Sequence, residues 1–223
     1  MNKIITVCVI TLALTSCASV RAKKPFTVDI YSPRYVAGSI EVQIDKVFGG
    51  LKKIKANVYY YPDESAVCLE FTAESVFFSQ FWSGDGRDAF IAALEQYKTD
   101  YEQRNLAAKS ARTKRAYGKV QGYLVWGVLR MLSDPARGVV TMDLGYMFKD
   151  NMPYFSLTQR PAEYKDNTSR KTQSPNVMLY FTRAQAEELA ALFNQEYLDG
   201  LEQSGETPSE GVKDILRDML NFR

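Results

Sequence analysis

No histidine occurs anywhere in the 223 residues. That absence removes the usual general base near neutral pH and the commonest metal ligand. Nucleophile systems built on Ser–His or Cys–His are excluded, as are zinc sites that need imidazole. Cysteine is nearly as scarce, with three in all: Cys8, Cys17 and Cys68. The body of the chain carries only Cys68, in the stretch AVCLEF, and one thiol cannot close a disulfide or build a thiolate metal site. Cys68 reads as a small buried apolar side chain. Long apolar runs are missing too. Both Ile4–Leu14 and the stretch YLVWGVLRML, interrupted by Arg130, fall short of the roughly 20 residues that a membrane-spanning helix needs. The net charge of +2 at pH 7 selects no partner by itself. The loop GDGRD lacks the ligand spacing of a calcium loop and reads as a helix cap. The neighbouring carboxylates Glu187 and Glu188 fall on the solvated face of a helix. No catalytic residue, no cofactor and no metal ion is therefore expected.

What is present begins at the front. Lys3 precedes an apolar run over Ile4–Leu14 that only Thr6 and Thr11 break, a length that suits the h-region of a secretory signal. It ends in Leu14-Thr15-Ser16-Cys17. This tetrapeptide resembles the lipobox of bacterial lipoproteins, an aliphatic residue three before a Cys with small residues between. The resemblance implies that the Cys17 thiol is joined to diacylglycerol, that the chain is cut between Ser16 and Cys17, and that the new amino group is acylated. Acyl chains such as palmitate contribute about 0.8 kcal/mol per buried methylene, so two or more anchor a protein stably. On that resemblance the partner of residue 17 is a membrane and the location is the bacterial cell envelope. Ala18 in place of Asp favours the outer over the inner membrane under enteric-type sorting. Residues 1–16 are then a signal peptide and 17–25 a lipidated tether bearing Arg21, Lys23 and Lys24. Fully extended, residues 18–25 reach no more than about 29 Å, which holds the folded part close to the bilayer.

From Phe26 the period is two. In SIEVQIDKVF, Ile40, Val42 and Ile44 face one way and Glu41, Gln43 and Asp45 the other, the pattern of a half-buried strand. KIKANVYYY and AVCLEF continue it, and Phe90, Ala93, Leu94, Tyr97 and Tyr101 then recur at helical spacing. KVQGYLVWGVLRML, VVTMDLGYMF, MPYFSLTQ and NVMLYF repeat the order before a helix with Ala186, Leu189, Ala190, Phe193, Tyr197 and Leu201 on its apolar face. VCLEFT at Val67–Thr72 resembles VMLYFT at Val177–Thr182 in four of six positions. The expected fold class is α+β: two similar units of antiparallel sheet followed by a helix, over 26–108 and 109–203. A linker and short helix over 204–223 close the chain, with Thr207, Pro208 and Glu210 forming its capping pattern. In element order alone, this tandem β-β-β-β-α arrangement resembles the Whirly and PUR-like nucleic-acid binders. That resemblance implies aromatic side chains on a sheet for base stacking, and at least one of Tyr59, Tyr60 and Tyr61 must point outward. Export, implied by the lipobox, argues against nucleic acid as the partner.

Charge is unevenly spread. No acidic residue lies between Gln103 and Ser133, while Arg104, Lys109, Arg112, Lys114, Arg115, Lys119 and Arg130 all do. Lys109, Arg112, Lys114, Arg115 and Lys119 are the candidate anion contacts, since clustered cations attract phosphates. Three functions are compatible with these observations. The first is a lipid-anchored envelope protein that binds or scaffolds an envelope protein or polymer, without enzymatic activity. A His-independent enzyme acting on envelope material is the second, and a polyanion or nucleic-acid binder working through residues 103–133 is the third.

Overall fold

A computed structural model of the chain describes residues 26–46, 49–107, 113–128, 135–165 and 171–204. Cys17, the signal peptide, Lys109, Arg112 and the expected helix within 204–223 lie outside the described residues. Alternation produces the strands. In chain order they are β1 (Tyr35–Asp45), β2 (Leu51–Tyr61), β3 (Ala66–Ala73) and β4 (Val76–Trp82), then helix α1 (Gly84–Glu102). β5 (Gly118–Val128), β6 (Ala136–Lys149) and β7 (Met152–Gln159) follow, with two short strands, β8 (Glu163–Lys165) and β9 (Lys171–Gln173). β10 (Val177–Phe181), α2 (Arg183–Phe193) and α3 (Gln195–Gln203) complete the described chain.

The expectation of two sheet-and-helix units is overturned by the pairing. β4 pairs with β5 along Val76–Phe81, and β1 pairs with β10 at Gln43–Tyr180 and Ile44–Leu179, both antiparallel. The strands of both expected units therefore join into one closed barrel in the order β1-β10-β7-β6-β5-β4-β3-β2. The fold is mostly β rather than α+β. The physical reason is edge satisfaction: two separate four-stranded sheets would leave four rows of unpaired backbone groups, and closure leaves none.

Inside the barrel, Ile40, Val42, Val58, Leu69, Phe78, Leu124, Met142, Leu157 and Leu179 form one core. At one end, α1 and α2 plug the opening. Phe90 of α1 meets Trp82, Phe155 and Phe193 at ring-centroid distances of 5.8, 5.3 and 5.2 Å. Ser83 caps α1 by accepting from the Gly86 N–H, and Thr182 with Gln185 forms a full capping box at the start of α2. The second helix, expected to run unbroken to Leu201, breaks at Asn194. That residue is extended, ends α2 and caps α3 through its side chain.

A smaller core lies outside the barrel wall. Val28 and Ile30 of the segment leading into β1 cover Tyr61, Cys68, Phe81 and Val125. Arg34 follows them and places its guanidinium 3.8 Å from the centre of the Tyr59 ring. The outward tyrosine face of β2 is thus taken up by the chain's own N-terminal segment, not offered for stacking. Burial pushes the Cys68 thiol well above its ordinary pKa, and Glu70 adds to the effect. That keeps it protonated and unreactive.

Several phenols are held in the same way. Burial raises Tyr61 and Tyr97 above the ordinary value of 10.0, and burial with the Asp45 carboxylate raises Tyr180. Between that value and the raised one, the unfolded chain loses the proton and the native chain keeps it. This stabilisation is complete below pH 10 and declines above it. Tyr61 alone should remove about 1.4 kcal/mol per pH unit there, with smaller amounts from Tyr97 and Tyr180, whose hydroxyls lie nearer water. Urea midpoints about one unit above pH 10 should fall well below those at neutral pH. Equal midpoints would contradict the burial of these hydroxyls.

Candidate functional site

The end opposite the helices is open. Ala73, Glu74 and Val76 at the β3–β4 turn face Pro175, Asn176, Val177 and Met178 across a half-open cleft of about 360 Å³. Ile44 and Phe78 form its apolar floor, and Asp45 and Lys114 stand at its edge. The volume lies in the range of small-molecule sites. Beneath Pro175 the barrel interior turns polar: Gln159 donates from Nε2 to the Pro175 carbonyl at 3.2 Å, and Gln80 donates to Gln159 Oε1 at 2.6 Å.

Lys114 arrives at the cleft because of a glycine. Residues Thr113–Arg115 form one 3-10 turn, which ends as Tyr117 N–H donates to the Leu144 carbonyl at 3.0 Å. The turn lies over Gly145 of β6, so closely that a Cβ there would stand 2.0 Å from the Thr113 carbonyl oxygen. Only a bare backbone permits that approach. Tyr117 Oη donates to Asp100 Oδ2 at 3.0 Å and ties the same segment to α1. Burial first, and then Asp100, raise the Tyr117 phenol, so it stays a donor.

The docked turn sets Arg115 beside Asp143. Arg115 Nε is 3.4 Å from Asp143 Oδ2. Arg160 grips the same carboxylate with a fork, Nε to Oδ2 at 2.9 Å and Nη2 to Oδ1 at 2.7 Å. Those bonds raise the Arg160 pKa. Lys119 sits directly across the β5–β6 ladder from Asp143. Arg115 and Arg160 thus hold one carboxylate that is 4% exposed, with Lys119 across the ladder from it, while Lys114, next to Arg115, lines the cleft. Neither Lys114 nor Lys119 makes an ion pair among the described residues. Thr158 of β7 is in register with Asp143 on one side and Met178 on the other, and Ser156 is in register with Gly145. Both hydroxyls are buried and neither Oγ finds a hydrogen-bond partner.

Of the residues expected to meet an anion, Lys114, Arg115 and Lys119 are therefore brought together. Asp143, Arg160, Ser156 and Thr158 join them from strands distant in sequence. Alternation alone puts Asp143, Ser156 and Thr158 on outer faces, but only pairing shows which cations they meet. Gly145→Val should lift the turn off β6, reducing stability by about 1–3 kcal/mol and freeing residues 113–117 for cleavage. Limited proteolysis beside a urea titration checks both. A variant as protease-resistant as the parent would contradict the close docking.

Among the described residues, no group of three or more carboxylates or thiols is placed to hold a metal ion, and no helix is long and apolar enough to cross a membrane. Residues 33–200 match the family model described as "Uncharacterised Treponema protein". No curated protein and no solved structure matches the chain.

Proposed function

The chain belongs to this family of Treponema proteins, and from that premise we propose that it is a lipid-anchored protein of the bacterial cell envelope that works by binding. The observation that carries this reading is the polarity of the barrel. Val42 and Val58 point inward, while Glu41, Lys53 and Lys55 on the same two strands are outward and exposed. A barrel that spans a membrane has the reverse arrangement, apolar outward and polar within. Membrane attachment then needs a separate device, and Leu14-Thr15-Ser16-Cys17 supplies one by its likeness to a lipobox. Acyl chains on Cys17 would hold the barrel at the bilayer while its charged wall stays in water. Ala18 favours the outer membrane.

Binding rather than catalysis is supported by the lack of histidine across the chain and by a cleft that sets apolar side chains beside Asp45, Glu74, Lys114 and Asn176. The partner is an envelope polymer, lipid or protein presented near the membrane surface. Base stacking is disfavoured, because Arg34 covers Tyr59.

Intact mass of the membrane-extracted protein tests the anchor. The expected mass is that of residues 17–223 plus diacylglycerol and an acyl group. Cys17→Ala should abolish both the added mass and membrane retention. A native chain that begins elsewhere and carries no lipid would overturn the proposal.

A further inference from the structure

We infer that the outer face of β5, β6 and β7 beside the cleft is a binding site for a phosphate group, built from Lys114, Arg115, Lys119, Ser156 and Thr158. The inference rests on reading the chain as a binding protein and supplies the chemical class of its ligand.

Charge is the first observation. Arg115 and Arg160 share the Asp143 carboxylate, and Arg160 is already committed, its fork closed on both oxygens. Arg115 holds the same carboxylate more loosely, its Nε 3.4 Å from Oδ2. Lys114 and Lys119 bring one further charge each. Asp45 and Glu74 line the cleft with Lys114, and Lys149 pairs with Asp45, so five cations stand against three carboxylates, an excess of two positive charges. A phosphate mono- or diester offers the matching charge and several strong acceptor oxygens.

The second observation is independent of charge. Ser156 and Thr158 are 0% and 7% exposed, and their hydroxyls have no hydrogen-bond partner. A buried hydroxyl left so is destabilising, and two occur two residues apart on the one strand that runs beneath these cations. Thr158 lies between Asp143 and Met178 in the ladders, and Met178 and Lys114 line the same cleft. A ligand oxygen at this edge would accept from the hydroxyls while Lys114 and Arg115 balance its charge. Tyr117 and Gly145 act as positioning residues, because they hold the turn that carries both cations.

Two sources share this chemistry, a soluble or polymeric phosphate and a lipid headgroup. The full chain carrying Cys17→Ala separates them, since its own lipid cannot then attach it to a vesicle. It is titrated with sodium pyrophosphate by calorimetry and floated with vesicles of phosphatidylglycerol and phosphatidylcholine in equal parts. Lys114→Ala and Thr158→Val are compared with the parent in both arms. Thr158→Val preserves shape and removes an unpartnered hydroxyl, so its urea stability should hold or rise while its phosphate affinity falls about tenfold. Lys114→Ala should weaken binding by a similar factor, and added salt should weaken it further.

Pyrophosphate binding with these losses supports the site and a free or polymeric ligand. Binding to the anionic vesicles alone, with the same losses, supports the site and a headgroup ligand. Absence of binding in both arms overturns the inference. So does binding that Lys114→Ala weakens but Thr158→Val leaves unchanged, which would mean a basic surface without a built site. Either overturning result leaves the mass of the native protein, and hence the anchor, untouched.

Discussion

Phe90→Ala should remove about 3–5 kcal/mol of stability, the range for emptying a fully enclosed aromatic position. Phe90 is 0% exposed and stands where four other elements converge. Trp82 ends β4, Phe155 lies in β7, Phe181 ends β10, and Phe193 ends α2. Edge-to-face contacts dominate, at interplanar angles of 83°, 83°, 78° and 65°. Such pairs contribute about 0.5–1.5 kcal/mol beyond the area they bury. No neighbour can swing into the space without losing a contact of its own. Since a domain has only about 5–15 kcal/mol in total, this change consumes roughly a fifth or more of it. The melting temperature should fall by roughly 6–20 °C. Tyr101→Ala is the internal control. That side chain is on the same helix but 42% exposed, so its removal should cost less than about 1 kcal/mol. Thermal melts of the two variants decide the matter. Similar losses would mean that α1 does not plug the barrel.

Arg34→Ala should be comparably damaging for an electrostatic reason. Arg34 is 2% exposed, and its Nη1 lies 2.8 Å from Glu70 Oε1 and 3.4 Å from the Tyr61 hydroxyl. Burial by itself would lower the guanidinium pKa, but Glu70 and the surrounding phenols outweigh it and raise it, so the charge is permanent. Taking away the cation leaves Glu70, 5% exposed, in a site that water does not reach. Breaking a buried pair from one side costs about 3–5 kcal/mol, whereas replacing both partners by apolar groups is often neutral or better. Arg34→Met combined with Glu70→Leu should therefore recover most of what Arg34→Ala loses. A double-mutant cycle in urea measures the difference. If the double variant is no more stable than the single one, the pair is not the source of the loss.

The pair also follows the segment that leads into β1. Val28 and Ile30 bury themselves on the outer wall a few residues before Arg34. A pull on the chain ahead of residue 28 would therefore be borne by this apolar strap and the ion pair behind it. Only beyond them lies β1.

Much of the local structure was legible because it depends on near neighbours. Ile40, Val42 and Ile44 alternate with polar residues, and β1 forms there. Ser83 stands before an amphipathic run, and it caps α1. Cys68, among apolar strand residues, is buried. The helix through Asn194 was misjudged because its apolar stripe continues across a residue whose side chain prefers to cap. The tyrosine run was half legible. Alternation points Tyr59 outward, yet nothing local indicates that Arg34 will lie over it.

The candidate site divides along the same line. A basic region between Gln103 and Ser133, and the thiol at Cys17 beside a lipobox-like sequence, are properties of the chain as written. Asp143, Ser156, Thr158 and Arg160 carry no signal in sequence, since a polar residue at every second position is what any outward strand face displays. By itself the sequence determined where the long strands and the first helix form, which faces are apolar, that histidine chemistry is impossible, and where the cations lie along the chain. Only the tertiary structure decided that β1 meets β10 and β4 meets β5, making one barrel of what reads as two units. It also decided that Thr113–Arg115 folds onto Gly145 and so brings Arg115 to the carboxylate that Arg160 already holds. Periodicity is a local property that the backbone repeat enforces. Partner choice is a global one, set by which closure leaves the fewest unpaired edges and buries the most apolar surface.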